Sequence, residues 1–148
     1  MNIQDIHNLF LQCNSLSIDT RKIEKKSMFF AIKGENFDAN TFAREALDLG
    51  ALFVVIENES YFIDGRTILV ENSLQTLQEL AKFHRTYLGP PIVALTGSNG
   101  KTTTKELINV VLSKKFITKA TIGNLNNHIG VPLTLLSFTK ETEMGIVE

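Results

Sequence analysis

The chain has 148 residues, 43% of them apolar, and a formal net charge of −1. That length suits one ordinary domain or two small ones with a packed core, and the near-neutral charge excludes an electrostatic case for nucleic acid or an anionic membrane as the main partner. The longest purely apolar stretch, residues 51–56, falls far short of the roughly 20 residues that span a bilayer.

Ile3, Ile6, Leu9, Phe10 and Cys13 recur at helical spacing, so the chain opens on a short amphipathic helix. The start lacks the basic and apolar blocks of a signal peptide, and the single cysteine allows no internal disulfide, so a reducing cytoplasm is the expected setting. On its apolar face Cys13 reads as a small buried hydrophobe rather than a nucleophile. Residues 28–32 read as a strand ending at Gly34. Residues 41–49 read as a helix, with Asn40 as N-cap and Gly50 as stop. Residues 52–56 and 67–70 are further strands around an Asp64-Gly65 turn. Residues 73–88 carry Leu74, Leu77, Leu80, Ala81 and His84 on one face, with Ser73 as cap. His7 and His84 read as structural.

Gly89-Pro90-Pro91 cannot continue a helix, and the domain boundary is placed there, giving units 1–88 and 89–148. After it come a strand, a glycine loop, a helix from Lys101 to about 114, a strand at 116–120, a polar loop over 121–130 and a last apolar piece at 144–147. About three strands and one clear helix cannot cover both faces of an open parallel sheet. The expectation is therefore the front portion of a longer enzyme; a small protein with its last strand on an edge is the alternative.

The glycine loop carries the chemistry. Thr96-Gly97-Ser98-Asn99-Gly100-Lys101-Thr102-Thr103 follows the apolar run 92–95. Backbone N–H groups at a helix N-terminus suit the diffuse charge of a phosphate, and the helix dipole adds to them. Gly97 and Gly100 remove the Cβ where the chain turns, Lys101 brings a positive charge to the β- and γ-phosphates, and the Thr102 hydroxyl suits a magnesium ion. The common pattern places a further glycine five residues before Gly100, where this chain has Leu95. What remains, Gly-x-x-Gly-Lys-Thr between a strand and a helix, still points to ATP. A turn with capping threonines is the plainer reading.

A second loop, Gly123-Asn124-Leu125-Asn126-Asn127-His128-Ile129-Gly130-Val131-Pro132-Leu133-Thr134, holds three asparagines in four positions. Their amides donate and accept at once, which suits a site holding a metal-bound phosphate beside a carboxylate. Taken alone it is also an ordinary asparagine-rich turn.

The two loops together, about twenty residues apart, closely resemble the Mur ligases of peptidoglycan synthesis, and among these the type that adds D-alanyl-D-alanine to UDP-N-acetylmuramoyl-tripeptide. Ser17-Ile18-Asp19-Thr20-Arg21, residues 28–34, Phe37-Asp38 and residues 46–51 resemble that family's uridine-nucleotide domain. The resemblance implies an α/β fold: a small N-terminal UDP-binding α/β domain, then the start of a phosphate-loop parallel-sheet ATPase domain. It implies a monomeric, magnesium-dependent ATP ligase that forms an amide through an acyl phosphate, with no nucleic-acid partner and no membrane insertion. In that scheme Gly97, Ser98, Asn99, Gly100, Lys101, Thr102 and Thr103 hold the triphosphate, and Lys101 contacts the transferring group. Asn124 and Asn127 face the nucleotide and metal, and Thr102 and Glu148 hold magnesium. Thr20, Arg21, Lys33, Gly34, Phe37 and Asp38 bind the uridine substrate.

From the residues alone, Glu148 is also a charged strand end, Arg21 a solvated basic turn and Phe37 a core aromatic. Where the family often reads Asp-Gly-His, this chain has Asp38-Ala39-Asn40, which replaces an imidazole with an amide. Another phosphate-loop kinase or NTPase, or a nucleotide-binding module without catalysis, are the rival readings.

Overall fold

The computed structural model describes residues Met1–Glu148 and divides into two compact units, Met1–Leu80 and Ala81–Glu148. Both are α/β units, as the resemblance implies; the parallel sheet expected of the second unit is present, and the first unit is built on a parallel sheet as well. No helix is long and apolar enough to cross a membrane.

The first unit opens on helix α1 (Ile3–Phe10), whose N-cap Asn2 accepts from the Asp5 amide at 2.8 Å. Ile6, His7 and Phe10 form its buried stripe. Strands β1 (Leu16–Ser17), β2 (Met28–Phe30), β3 (Phe53–Ile56) and β4 (Thr67–Leu69) pair in chain order, all parallel. Met28 opposes Phe53 and Val55 opposes Ile68. Helix α2 (Ala43–Asp48) packs Ala43, Ala46 and Leu47 onto Phe29, Val54 and Ile56. Small side chains on the helix let it lie close to the β-branched and aromatic sheet face.

The helix expected at 41–49 is preceded by a 3-10 turn, Ala39–Phe42. Asp38, not Asn40, caps that turn by accepting from the Asn40 amide at 2.9 Å. The Asn40 side chain is drawn inward instead and is fully buried. Gly50, at φ +109°, ends the segment as expected.

Helix α3 (Ser73–Leu88) has the predicted bounds, but its cap is Asn72. Asn72 Oδ1 accepts from the Gln75 amide at 2.7 Å, and Glu57 Oε2 accepts from the Ser73 amide at 2.8 Å. The Ser73 hydroxyl is buried without a hydrogen-bond partner. The division between compact units falls inside α3, after Leu80, whereas the sequence places a domain boundary at Gly89. The last turns of α3 belong with the second unit, where His84 Nε2 lies 2.9 Å from the Phe138 carbonyl.

The second unit contains β5 (Ile92–Ala94), α4 (Lys101–Leu112), β6 (Thr118–Ala120), α5 (Gly130–Leu136) and β7 (Met144–Val147). Helix α5 is not foreseen by the sequence reading. Its seven residues are too few for a clear period, and Pro132 disguises it, although proline is tolerated in a first turn. The sheet order is β5-β7-β6, all parallel, with Ala94 opposite Val147 and Ala120 opposite Ile146. The strand that comes last in sequence therefore lies in the middle. Gly145 makes that possible: a Cβ there would sit 2.5 Å from the Phe138 ring. Because the strands are parallel, the segments leaving β5, β6 and β7 emerge at one edge, where open α/β sheets place their ligands.

Candidate functional site

Three segments meet at that edge of the second unit: the glycine loop after β5, the asparagine loop after β6, and Glu148 after β7. Leu95 N bonds to the Val147 carbonyl at 2.9 Å, which keeps the glycine loop in line with the sheet before it turns. Gly100 then adopts φ +73°, a left-handed conformation that costs glycine no Cβ clash. It is also the N-cap of α4, and its carbonyl accepts from Thr104 N at 3.0 Å. No backbone carbonyl outside the helix takes an N–H from residues 97–103. These amides are the unpaired donors of a helix N-terminus and the loop before it, which is the arrangement that receives an anion. Lys101 Nζ donates to the Gly97 carbonyl at 2.6 Å, so the ammonium lies over the loop. Ser98, Asn99, Thr102 and Thr103 are exposed around it.

The Glu148 side chain is almost completely buried, at 1% exposure. The Thr102 hydroxyl lies 3.1 and 3.2 Å from its two oxygens. Asn126 Nδ2 donates to Oε1 at 3.0 Å, and Lys105 Nζ lies 3.9 Å from Oε2. The Glu148 amide donates to Thr121 Oγ1 at 3.1 Å. A buried carboxylate beside a hydroxyl is a pair of oxygen donors that suits a hard cation such as magnesium.

Asn127 is engaged differently from Asn126. Its Oδ1 accepts from Gly130 N at 2.7 Å and Ile129 N at 3.1 Å, which closes the loop onto the start of α5. Asn124 is exposed. Gly130 packs on the loop itself: a Cβ there would come 2.4 Å from Leu125 backbone atoms. The reading of the sequence passed over Asn126, Lys105 and Thr121. The asparagine run was the available signal for the first. For Lys105 it was a lysine four residues after Lys101, one turn along the same helix face.

In the first unit a cavity of about 550 Å³ is lined by Ile18, Asp19, Thr20, Arg21, Phe29, Phe37, Ala39 and Phe42. Thr20, Arg21 and Phe37 thus come together there. Phe37 is 58% exposed and stacks on Phe42 with ring centroids 5.5 Å apart, so it is not a core aromatic. Arg21 is held in a two-pronged pair by Asp19, with Nε at 2.9 Å and Nη2 at 2.8 Å. That pair, chiefly through its side-chain hydrogen bonds, lowers the Asp19 carboxyl to about 2. Lys33 and Gly34 lie outside the cavity lining, on a tight turn in which Lys33 pairs with Asp38 and Gly34 N bonds to the Phe37 carbonyl at 2.8 Å. Asp38 faces Asn40, whose Nδ2 donates to Asp38 Oδ1 at 2.6 Å. Asn40 Oδ1 accepts from the Glu57 amide at 2.9 Å. The Asn40 amide therefore ties the Phe37 turn to the end of β3.

Comparison with known proteins places these features in a family. Residues 95–148 match the Mur ligase middle domain. The chain is 39% identical over 141 residues to UDP-N-acetylmuramoyl-tripeptide--D-alanyl-D-alanine ligase of Bacillus subtilis, covering 91% of this chain and 30% of that protein. It is 40% identical over 135 residues to the Escherichia coli ligase of the same name, covering 91% and 30%. Among solved structures, MurF ligase from Thermotoga maritima in complex with ADP superposes with a TM-score of 0.81 at 34% identity, covering 94% of this chain and 32% of that one. MurF from Acinetobacter baumannii gives 0.85 at 31% identity, covering 99% and 35%. The chain spans about 30% of the length of the curated relatives it matches. The strand–glycine loop–helix, the sheet that carries it and the sequence similarity across both units agree: residues 95–148 match the Mur ligase middle domain, and the chain as a whole is similar to about a third of the ligases compared.

Proposed function

We propose that this chain supplies the uridine-nucleotide and phosphate-binding portion of an ATP-dependent ligase of peptidoglycan-precursor synthesis. The reaction joins D-alanyl-D-alanine to UDP-N-acetylmuramoyl-tripeptide in the cytoplasm. The observation that carries this reading is the convergence of the amides of residues 97–103, the Lys101 ammonium and the Thr102–Glu148 pair at one sheet edge. The names of the relatives supply the substrates.

A carboxylate resists attack by an amine because it is negatively charged and has a poor leaving group. In the proposed reaction a carboxylate oxygen attacks the γ-phosphorus of ATP and ADP leaves. The amine nitrogen of D-alanyl-D-alanine then attacks the carbonyl carbon of the acyl phosphate, the C–O bond to phosphate breaks and the amine gives up a proton. The chain's part is to position reactants and offset charge. The amides of Gly97, Ser98, Asn99, Gly100 and Thr103 receive phosphate oxygens, and Lys101 leaves the Gly97 carbonyl for the β-phosphate and the transferring group beyond it. Thr102 and Glu148 would hold magnesium, which would offset triphosphate charge. Asn124 and Asn127 border the nucleotide, with Asn127 acting through the shape of the loop it closes. Thr20, Arg21 and Phe37 receive the uridine diphosphate in the first unit, on a turn shaped by Lys33, Gly34 and Asp38. The chain spans about a third of its relatives, so this portion binds and does not turn over by itself.

Calorimetry with ADP and, separately, with the UDP-peptide tests the proposal. Lys101→Ala should weaken ADP binding by about 2 kcal/mol, roughly thirtyfold, the cost of a lost charge-assisted contact. Affinity for the UDP-peptide should stay within about twofold, as expected for independent sites. Equal loss of both, or ADP binding that ignores Lys101, would count against it. ATP-dependent ligation by these residues alone would refute the division of labour.

A further inference from the structure

Lys105 is fully buried in α4, and the functional reading above gives it no part. Its Nζ donates to the Thr121 carbonyl at 2.6 Å, meets Glu106 Oε1 at 2.9 Å and lies 3.9 Å from Glu148 Oε2. Glu106 is 58% exposed, so water screens its share of the interaction. Glu148 is not screened in this way. Its oxygens already take the Thr102 hydroxyl and the Asn126 amide, and the one ammonium near them is as buried as the carboxylate.

The charges matter more than the bonds. A buried carboxylate without a counter-charge is held at a high desolvation cost and draws a proton or a cation. A carboxylate paired with a buried ammonium is formally neutral, and the ammonium repels an incoming divalent ion. We propose that Lys105 is a positioning residue that keeps the Thr102–Glu148 pair closed to a divalent cation on its own, so that the metal enters with the triphosphate. The phosphates supply the negative charge that Lys105 cancels on the protein side. Its bond to the Thr121 carbonyl fixes where that cancelling charge sits, because Thr121 also anchors the Glu148 amide. The inference rests on the reading of Thr102 and Glu148 as the metal side of the site.

The test uses Mn²⁺ alone, titrated into the full chain at pH 8 without nucleotide and followed by electron paramagnetic resonance. Wild type should bind weakly. Lys105→Met and Lys105→Gln should both bind at least about tenfold tighter, since each removes the charge. Lys105→Arg should stay with wild type. Lys105→Gln keeps a donor for the Thr121 carbonyl and serves if the methionine variant does not fold. Metal-free ADP affinity within about twofold of wild type shows that the loop is intact. Charge-removed variants that bind Mn²⁺ no better than wild type would overturn the proposal. So would wild type that saturates with Mn²⁺ alone at micromolar concentration and loses this on Glu148→Gln. If no protein in the series binds ADP, the nucleotide reading fails, and the Mn²⁺ arms still decide the role of Lys105.

Discussion

The Thr102 hydroxyl reaches both carboxylate oxygens of Glu148, at 3.1 and 3.2 Å, across 46 residues of sequence. Thr102 lies in the first turn of α4 and Glu148 directly after β7, and the β5-β7-β6 order brings them together. If the pair seats a divalent cation, Thr102→Val should cut the magnesium-dependent gain in ADP affinity by about tenfold or more. Binding in EDTA should change far less. Titrations with and without magnesium separate the two, and an equal fall in both would assign Thr102 to the loop's shape rather than to the metal.

Gly130 is constrained by the asparagine loop rather than by helix propensity. Its missing Cβ leaves room for the Leu125 backbone, which would otherwise lie 2.4 Å away. Backbone cannot rotate aside as a side chain can, so Gly130→Ala should destabilise the second unit by about 3 kcal/mol, the upper range for overpacking. Urea unfolding measures this. The loop also carries Asn126, so the Asn126–Glu148 contact should be lost with it. Asn126→Ala, which keeps the packing, should cost less stability and serves as the comparison.

The sequence made the strand–glycine loop–helix and the apolar strands legible because each is written locally. Ile92–Ala94 is a short apolar run, and Gly100 marks the left-handed turn that precedes Lys101. The bounds of α3 were equally readable, since sixteen residues show a period. Helix α5 was not, being short, carrying Pro132 in its first turn and following an asparagine turn that looks like loop. The partners of Glu148 were harder still. Lys105 reaches Thr121 across 16 residues and Asn126 reaches Glu148 across 22, and no local pattern announces contacts made only when three strands align. The cavity of the first unit shows the same limit: Arg21 was readable as a donor fork, but not as one already gripped by Asp19.

Burial of His84 disfavours its charged form and lowers its pKa below the ordinary 6.5, although the Phe138 carbonyl on Nε2 opposes this. The folded value lies under the unfolded one. The unfolded chain therefore takes up a proton first as pH falls, and stability drops. The contribution is present in full above pH 6.5 and is lost on acidification from there down through the folded pKa. Chemical unfolding at a series of pH values should show this slope, and His84→Gln, which keeps a donor toward Phe138, should flatten it. An unchanged slope in that variant would place the titration elsewhere.

Asn72 and Ser73 offer a test of which residue starts α3. Asn72 Oδ1 holds the Gln75 amide at 2.7 Å, while the Ser73 hydroxyl is buried and unbonded. Removing a cap costs about 1 kcal/mol, so Asn72→Ala should lower stability by that amount. Ser73→Ala removes a buried polar group that makes no bond, and should leave stability unchanged or raise it by up to about 1 kcal/mol. Glu57 adds to the contrast, because its carboxylate takes the Ser73 backbone amide, which the alanine variant retains. Thermal unfolding of both variants distinguishes the two residues. Destabilisation by Ser73→Ala to the extent of Asn72→Ala would return the cap to Ser73 and imply a partner for its hydroxyl.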